Sequence, residues 1–385
     1  MNTQPERCAR PATRTARARN HWTRLLLCLF ATSTASASQS WIPAADMSHE
    51  RRFASATLLD DGTVLVAGGE NIDGVLSASE IYAPALDAWL PAPDIPWGRV
   101  SHHAIALANG EVMILGGVSA LSPSPPALPV LVYDPDDGQW HASPGALAPR
   151  TLDSATLLDN GSVLLVGGYD ESQIPGATLF DPTTGNSVST GSMQIPRFDH
   201  VALKLTDGRV LVAGGSTTPG AGTATAACEV YDPVANTWSP VASLAFARQA
   251  ANAILLDDGK VLVAGGAVDG STVRMSETYD PTTNTWTDSG ELSVGRFVPT
   301  LTRLPDGRIL AVGGVGEAAP VASAELFDQV TRQWSAAGRM ADLRSGHTAM
   351  LLPNGRVLVA GGNGFNFLRS AELYDPQRIY ADGFE

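Results

Sequence analysis

An apolar run of four residues ending in Gly-Gly recurs seven times along the chain. It is VLVA before Gly68, Gly214, Gly265 and Gly361, VMIL before Gly116, VLLV before Gly167 and ILAV before Gly313. A run without alternation predicts a strand covered on both faces rather than one with a wet side. Six residues before the first glycine of each pair stands another glycine, preceded by Asp or Asn, at 62, 110, 161, 208, 259, 307 and 355. That dipeptide tolerates the left-handed backbone of a tight two-residue turn, so each apolar run is the second strand of a hairpin. The first strand is mixed in character and is entered through an arginine, Arg51, Arg99, Arg150, Arg197, Arg248, Arg296 or Arg344, always seventeen residues before the Gly-Gly pair.

Downstream of each pair comes a loop of variable length. A third strand of the form SAELYDP follows (Glu372, Tyr374, Asp375 and Pro376 in the last copy), and a DPTTNTW-type turn leads to a fourth strand headed by tryptophan. Trp89, Trp140, Trp238, Trp286 and Trp334 hold that position, and Val188 replaces the aromatic in the third unit. Successive pairs lie 47 to 51 residues apart, and a period near fifty is the spacing of propeller blades. The last unit stops after its third strand, while Trp41 heads a fourth strand with no preceding three. The pattern therefore predicts an all-β, seven-bladed propeller whose seventh blade is closed by the N-terminal strand, which removes the open sheet edges.

On these motifs the chain resembles kelch-repeat proteins over residues 39 to 376, and the ring is similar to the propeller domain of galactose oxidase. That resemblance implies a copper centre in the oxidases, built from two tyrosines, two histidines and a thioether-linked cysteine, with one ligand from a domain after the propeller. This sequence offers no such domain after residue 376, and Cys228, three residues before Tyr231 in a third strand, reads as core. No cofactor and no metal site is expected.

The first 37 residues differ in kind. Six arginines and one glutamate precede an apolar stretch from Leu25 to Ala31, and small residues end at Ala35-Ser36-Ala37, the pattern of a secretory signal peptide cleaved before Ser38. The domain division is then 1–37 leader, 38–376 propeller and 377–385 tail, and the protein is expected outside the cytoplasm, secreted or periplasmic. Without the leader 19 basic and 38 acidic residues remain, a formal charge of −19 against −14 for the whole chain. That balance argues against nucleic acid and anionic membrane as partners, and no stretch is long and apolar enough to span a bilayer. Cys8 and Cys28 leave with the leader, so the propeller keeps one thiol and closes without a disulfide. A monomer is expected.

Chain direction sorts the loops onto two faces. The hairpins and DP turns, alike in every unit, form a structural face; the seven arginines, the Gly-Gly ends and the variable loops form the face where a ligand is expected. Glutamates two residues before the third-strand aromatic, Glu80, Glu229, Glu277, Glu325 and Glu372, are the partners that buried arginines require. Units 2 and 3 carry Leu131 and Thr178 instead. If pairing is within a unit the free arginines are Arg99 and Arg150; if it is with the next unit they are Arg150 and Arg197. In eukaryotic kelch adaptors arginines at a similar place bind acidic peptide side chains, which implies an anion-contacting role for Arg150. Three residues after the arginines stand His102, Asp153, His200 and His347. Of these, His102, Asp153 and His200, together with His103 and Asp199, cluster in units 2 to 4. The candidate ligand residues are Arg99, Arg150, Arg197, His102, Asp153, Asp199 and His200, with no catalytic residue assigned. The expected function is a binding scaffold for a protein or glycan. The alternative is a carbohydrate-active enzyme, a mutarotase or an oxidase, using a pair such as His102 with Asp153 or His200 with Asp199 for acid–base work.

Overall fold

In the computed structural model the described residues are 40–378, apart from 120–126, 148–149, 152, 171, 174–175 and 219–222. The leader, much of the two longest variable loops and nearly all of the tail lie outside them.

Seven four-stranded antiparallel sheets follow one another in sequence. Blade 1 is Ser55–Leu58, Val64–Ala67, Ser79–Ala83 and Ala88–Ala92, and the other blades repeat that order. The seventh is completed from the other end of the propeller: Trp41–Ala44 pairs antiparallel with Ala371–Tyr374, with Trp41 opposite Tyr374. Each first strand touches the first strands of both neighbouring blades, which makes a closed circuit of seven around a central channel. The all-apolar second strands are buried in every blade, as their lack of alternation predicts.

Blades are joined by small apolar cores rather than one large one, the arrangement that lets a repeat protein grow without a single oversized core. In six blades the third-strand Tyr or Phe meets the fourth-strand Trp at 5.0–5.2 Å between ring centres. The indole N–H of each then reaches the preceding blade, as Trp41 does to the Ala337 carbonyl at 2.9 Å. Val188 can make neither contact and is exposed. Blade 3 is held at its outer edge differently: a Cβ on Gly145 of blade 2 would lie 2.4 Å from the Gly185 carbonyl oxygen of blade 3, so only a glycine permits that approach.

On the variable-loop face the residue after each arginine bridges to the residue after the Gly-Gly pair, as in Arg52 with Glu70 and Ser345 with Asn363. The next residue adopts a left-handed backbone: Phe53, Ser101, Asp199, Ala250 and Val298 have φ between 46° and 55°. Backbone bonds running from blade to blade, such as Ser101 N–H to the Phe53 carbonyl and Val298 N–H to the Ala250 carbonyl, hold these strained residues in a belt at the channel mouth. Nothing in the residue types foretells the belt.

Candidate functional site

Pairing between arginine and glutamate is within the blade. Arg51–Glu80, Arg248–Glu277, Arg296–Glu325 and Arg344–Glu372 meet at 2.7 Å and Arg197–Glu229 at 2.9 Å, all buried. In these five blades Nη1 donates to the carbonyl of the first glycine of the pair. The glutamate also accepts a backbone N–H from the segment leading into the arginine, for example Ser48 or Gln194. Each guanidinium thus welds the start of the first strand to the third. Arg197 belongs to this structural set: with its carboxylate in place and no exposed surface, it has nothing to offer a ligand.

Arg99 and Arg150 are the exceptions. Arg99 is fully buried and, among the described residues, donates only through Nη2 to the Pro129 carbonyl, leaving Nε and Nη1 without a hydrogen-bond partner there. Burial lowers its pKa to about 10, so it stays charged at neutral pH. Arg150, slightly exposed at the rim, also has Nε and Nη1 unpartnered among the described residues, and its closest carboxylate is Asp153 at 3.9 Å.

The histidines follow a second ring of contacts. Three residues after the arginine, a side chain faces the residue that follows the corresponding position in the preceding blade. His102 Nε2 meets Ser55 Oγ at 2.8 Å, His200 meets Ser154 at 2.9 Å and His347 meets Thr300 at 3.0 Å. Burial drops the pKa of all three imidazoles to about 3, so they are neutral structural pins. Between blades 2 and 3 the chemistry is inverted, because Asp153 takes the histidine's place and His103 the hydroxyl's, 2.9 Å apart. The carboxylate pair expected for His102 is therefore made by His103, and His200 is bonded to Ser154 rather than to Asp199. Burial opposes a charge on His103, but the Asp153 carboxylate and its hydrogen bond outweigh that and Arg150, and hold the pKa above its usual value. The imidazole is 26 % exposed, while the carboxylate behind it is 1 % exposed. Asp199 stands in the left-handed belt at the mouth, pushed up to about 6 by burial.

The backbone adds a further departure at this junction. In six blades a Cβ on the first glycine of the pair would come within 2.3–2.6 Å of the next blade's arginine carbonyl oxygen, so the blades close tightly there. At Gly116, which faces blade 3, the nearest described atom is His103 Cδ2 at 3.8 Å. Among the described residues the inner rim between blades 2 and 3 is therefore less tightly closed at Gly116 than the other six junctions, although Gly117 still bridges to Arg150, and Arg150, Asp153 and His103 stand beside it.

Cavities also occur on the hairpin face, where sequence reasoning expected only structure. One of about 540 Å3 lies between the blade 6 and blade 7 hairpins, lined by Asp306, Asn354, Arg356 and Asp375 among others; another of about 350 Å3 lies between blades 7 and 1. On that face Asp134, Asp137 and His141 also come together at the blade 2 turn, Asp134 half-buried and the other two exposed to solvent.

The Kelch motif matches residues 205–245 and 304–341, in blades 4 and 6. Among solved structures, the chain is similar to a fungal alcohol oxidase of the AA5 family in complex with copper, with a TM-score of 0.73 at 16 % identity over 88 % of this chain and 76 % of that one. It is also similar to YjhT, with a TM-score of 0.58 at 17 % identity over 76 % of this chain and 99 % of that one. The residues here do not fit a copper centre of the oxidase kind. Cys228 is buried between blades 4 and 5, its thiol pushed up to about 11 by burial, and His102, His200 and His347 are each engaged with a different neighbouring blade. Repeat, ring and closing strand agree: the chain is a seven-bladed β-propeller in which two stretches match the Kelch motif.

Proposed function

We propose that this propeller is a binding scaffold that takes a carboxylate-bearing protein or glycan at the inner rim of blades 2 and 3. The observation that carries the reading is the looser junction at Gly116 beside an arginine whose repeat glutamate is replaced by Thr178. Arg150 keeps Nε and Nη1, both buried, without a hydrogen-bond partner among the described residues, and His103, whose pKa Asp153 raises, is the partly exposed group beside it in a strongly acidic protein. A carboxylate accepts from such a pair with charge-assisted bonds. The proposal places the protein outside the cytoplasm, beginning at Ser38, which N-terminal sequencing of the exported form checks. The direct test is calorimetric titration with a glutamate-rich peptide and with a uronate-bearing oligosaccharide. Binding of either that is lost in Arg150→Ala supports the reading, and no binding of both overturns it.

A second reading rests on the His103–Asp153 pair. A partly exposed imidazole oriented by a buried carboxylate is the geometry of a general base, which suits proton transfer on a sugar. Anomer exchange of acidic sugars followed by NMR, with and without His103→Gln, decides it.

A further inference from the structure

Arg99 poses a different problem from Arg150, because a peptide or glycan lying on the surface cannot reach a side chain with no exposed area. A guanidinium taken out of water needs a counter-charge, since an isolated buried ion is strongly unfavourable. In five blades the counter-charge is the glutamate of the third strand. In blade 2 that position is Leu131, fully buried with Ala67, Ile95 and Ile114, so the surroundings are apolar. A leucine side chain is shorter than a glutamate and carries no acceptor, and it leaves the outer end of the carboxylate's seat without an oxygen. The sequence between Glu111 and Asp134 contains no acidic residue to take its place.

In the five paired blades Nη2 donates to the glutamate and Nη1 to the glycine carbonyl, whereas Arg99 spends Nη2 on the Pro129 carbonyl and leaves Nη1, with Nε, without a partner among the described residues. The segment leading into Arg99 is Pro96-Trp97-Gly98, so one of the two backbone positions that serve the glutamate elsewhere is a proline without an N–H. The seat is thus smaller and poorer in donors than that of a carboxylate. We infer that blade 2 holds a buried monovalent anion of halide size, chloride under ordinary conditions, against Arg99 in place of the missing glutamate. The ion is a structural counter-charge, independent of any ligand at the rim, and its binding favours the folded ring by mass action.

The test uses the mature chain in sodium chloride, bromide and gluconate at one ionic strength. Gluconate is too large for the seat, so the melting temperature is expected to be lower in it by roughly 2–4 °C, the shift that a weakly bound stabilising ion produces in a domain of this class. Crystals soaked in bromide are expected to show an anomalous peak within bonding distance of Arg99 Nε or Nη1. Leu131→Glu, which tethers a carboxylate in the seat, should abolish the halide dependence if it folds. Equal melting temperatures in the three salts, or bromide peaks at the protein surface alone, would overturn the inference without reference to that variant.

Discussion

Removing the Arg296 guanidinium tests the buried ring most sharply, because every bond it makes is known. Arg296→Ala deletes donors to the Val294, Gly313 and Ser323 carbonyls, to Ser323 Oγ and to Glu325 Oε1. Glu325 then keeps the Ser293 N–H as its one donor and stays 4 % exposed, a carboxylate stranded in the blade. Breaking a buried pair in this way costs ~3–5 kcal/mol, and the orphaned carbonyls put the value toward the upper end. Arg150→Ala removes no hydrogen bond among the described residues, and Asp153 keeps its bond to His103, so a cost below ~1.5 kcal/mol is expected. Urea unfolding followed by tryptophan fluorescence measures both. The double variant Arg296→Ala/Glu325→Ala should be less damaged than Arg296→Ala alone, because it strands no charge. Equal losses for Arg150→Ala and Arg296→Ala would refute the distinction drawn between the two arginines.

Closure gives a second test: Trp41→Ala, which removes a ring 5.2 Å from Tyr374 and the bond to Ala337, is expected to cost ~3–5 kcal/mol in the same assay. An unchanged midpoint would show that the seventh blade is held otherwise. The looser junction gives a third. Gly116→Ala and Gly313→Ala both force alanine into left-handed backbone, but only at Gly313 does the new methyl meet a carbonyl oxygen, that of Arg344 at 2.5 Å, so Gly313→Ala should lose markedly more stability. The fourth concerns pH. His102, His200 and His347 have pKa values of about 3 in the fold, below the unfolded value, so the unfolded chain binds more protons in between. Their contribution is complete above pH ~6.5 and is lost as pH falls toward 3. His347→Asn should flatten that acid decline in melting temperature. His103, raised by Asp153, works the other way and contributes below its unfolded pKa, losing its share as pH rises through the folded value.

Fold and closure were legible because they rest on spacing. A 17-residue interval from arginine to Gly-Gly and an unpaired strand at each end leave one topology that removes every edge. The arginine partners were legible as residue types, but the choice between pairing within a blade and with the next depends on which way a side chain turns, and spacing does not carry that. The histidine column was read one residue out of register. Aligning only the third residue after each arginine selects His102, whereas the contact joins that column to the fourth residue of the preceding blade, Ser55, His103, Ser154 and Thr300. That second column is present in the sequence and pairs His103 with Asp153 once the two are set side by side. The looser junction at Gly116 and the hairpin-face cavities are differences in blade-to-blade distance, to which a repeat pattern is blind.

The most direct measurement of the proposed site is a titration of the glutamate-rich peptide and the uronate-bearing oligosaccharide into three proteins: the unaltered chain, Arg150→Ala and Thr178→Glu. The last variant supplies the carboxylate that blade 3 lacks, so the fold itself should occupy Arg150. The expected result is binding by the unaltered chain, a loss of at least tenfold in both variants, equivalent to about 1.4 kcal/mol, and a melting temperature that rises in Thr178→Glu while barely moving in Arg150→Ala. Binding that survives undiminished in both variants would contradict an anion site at Arg150.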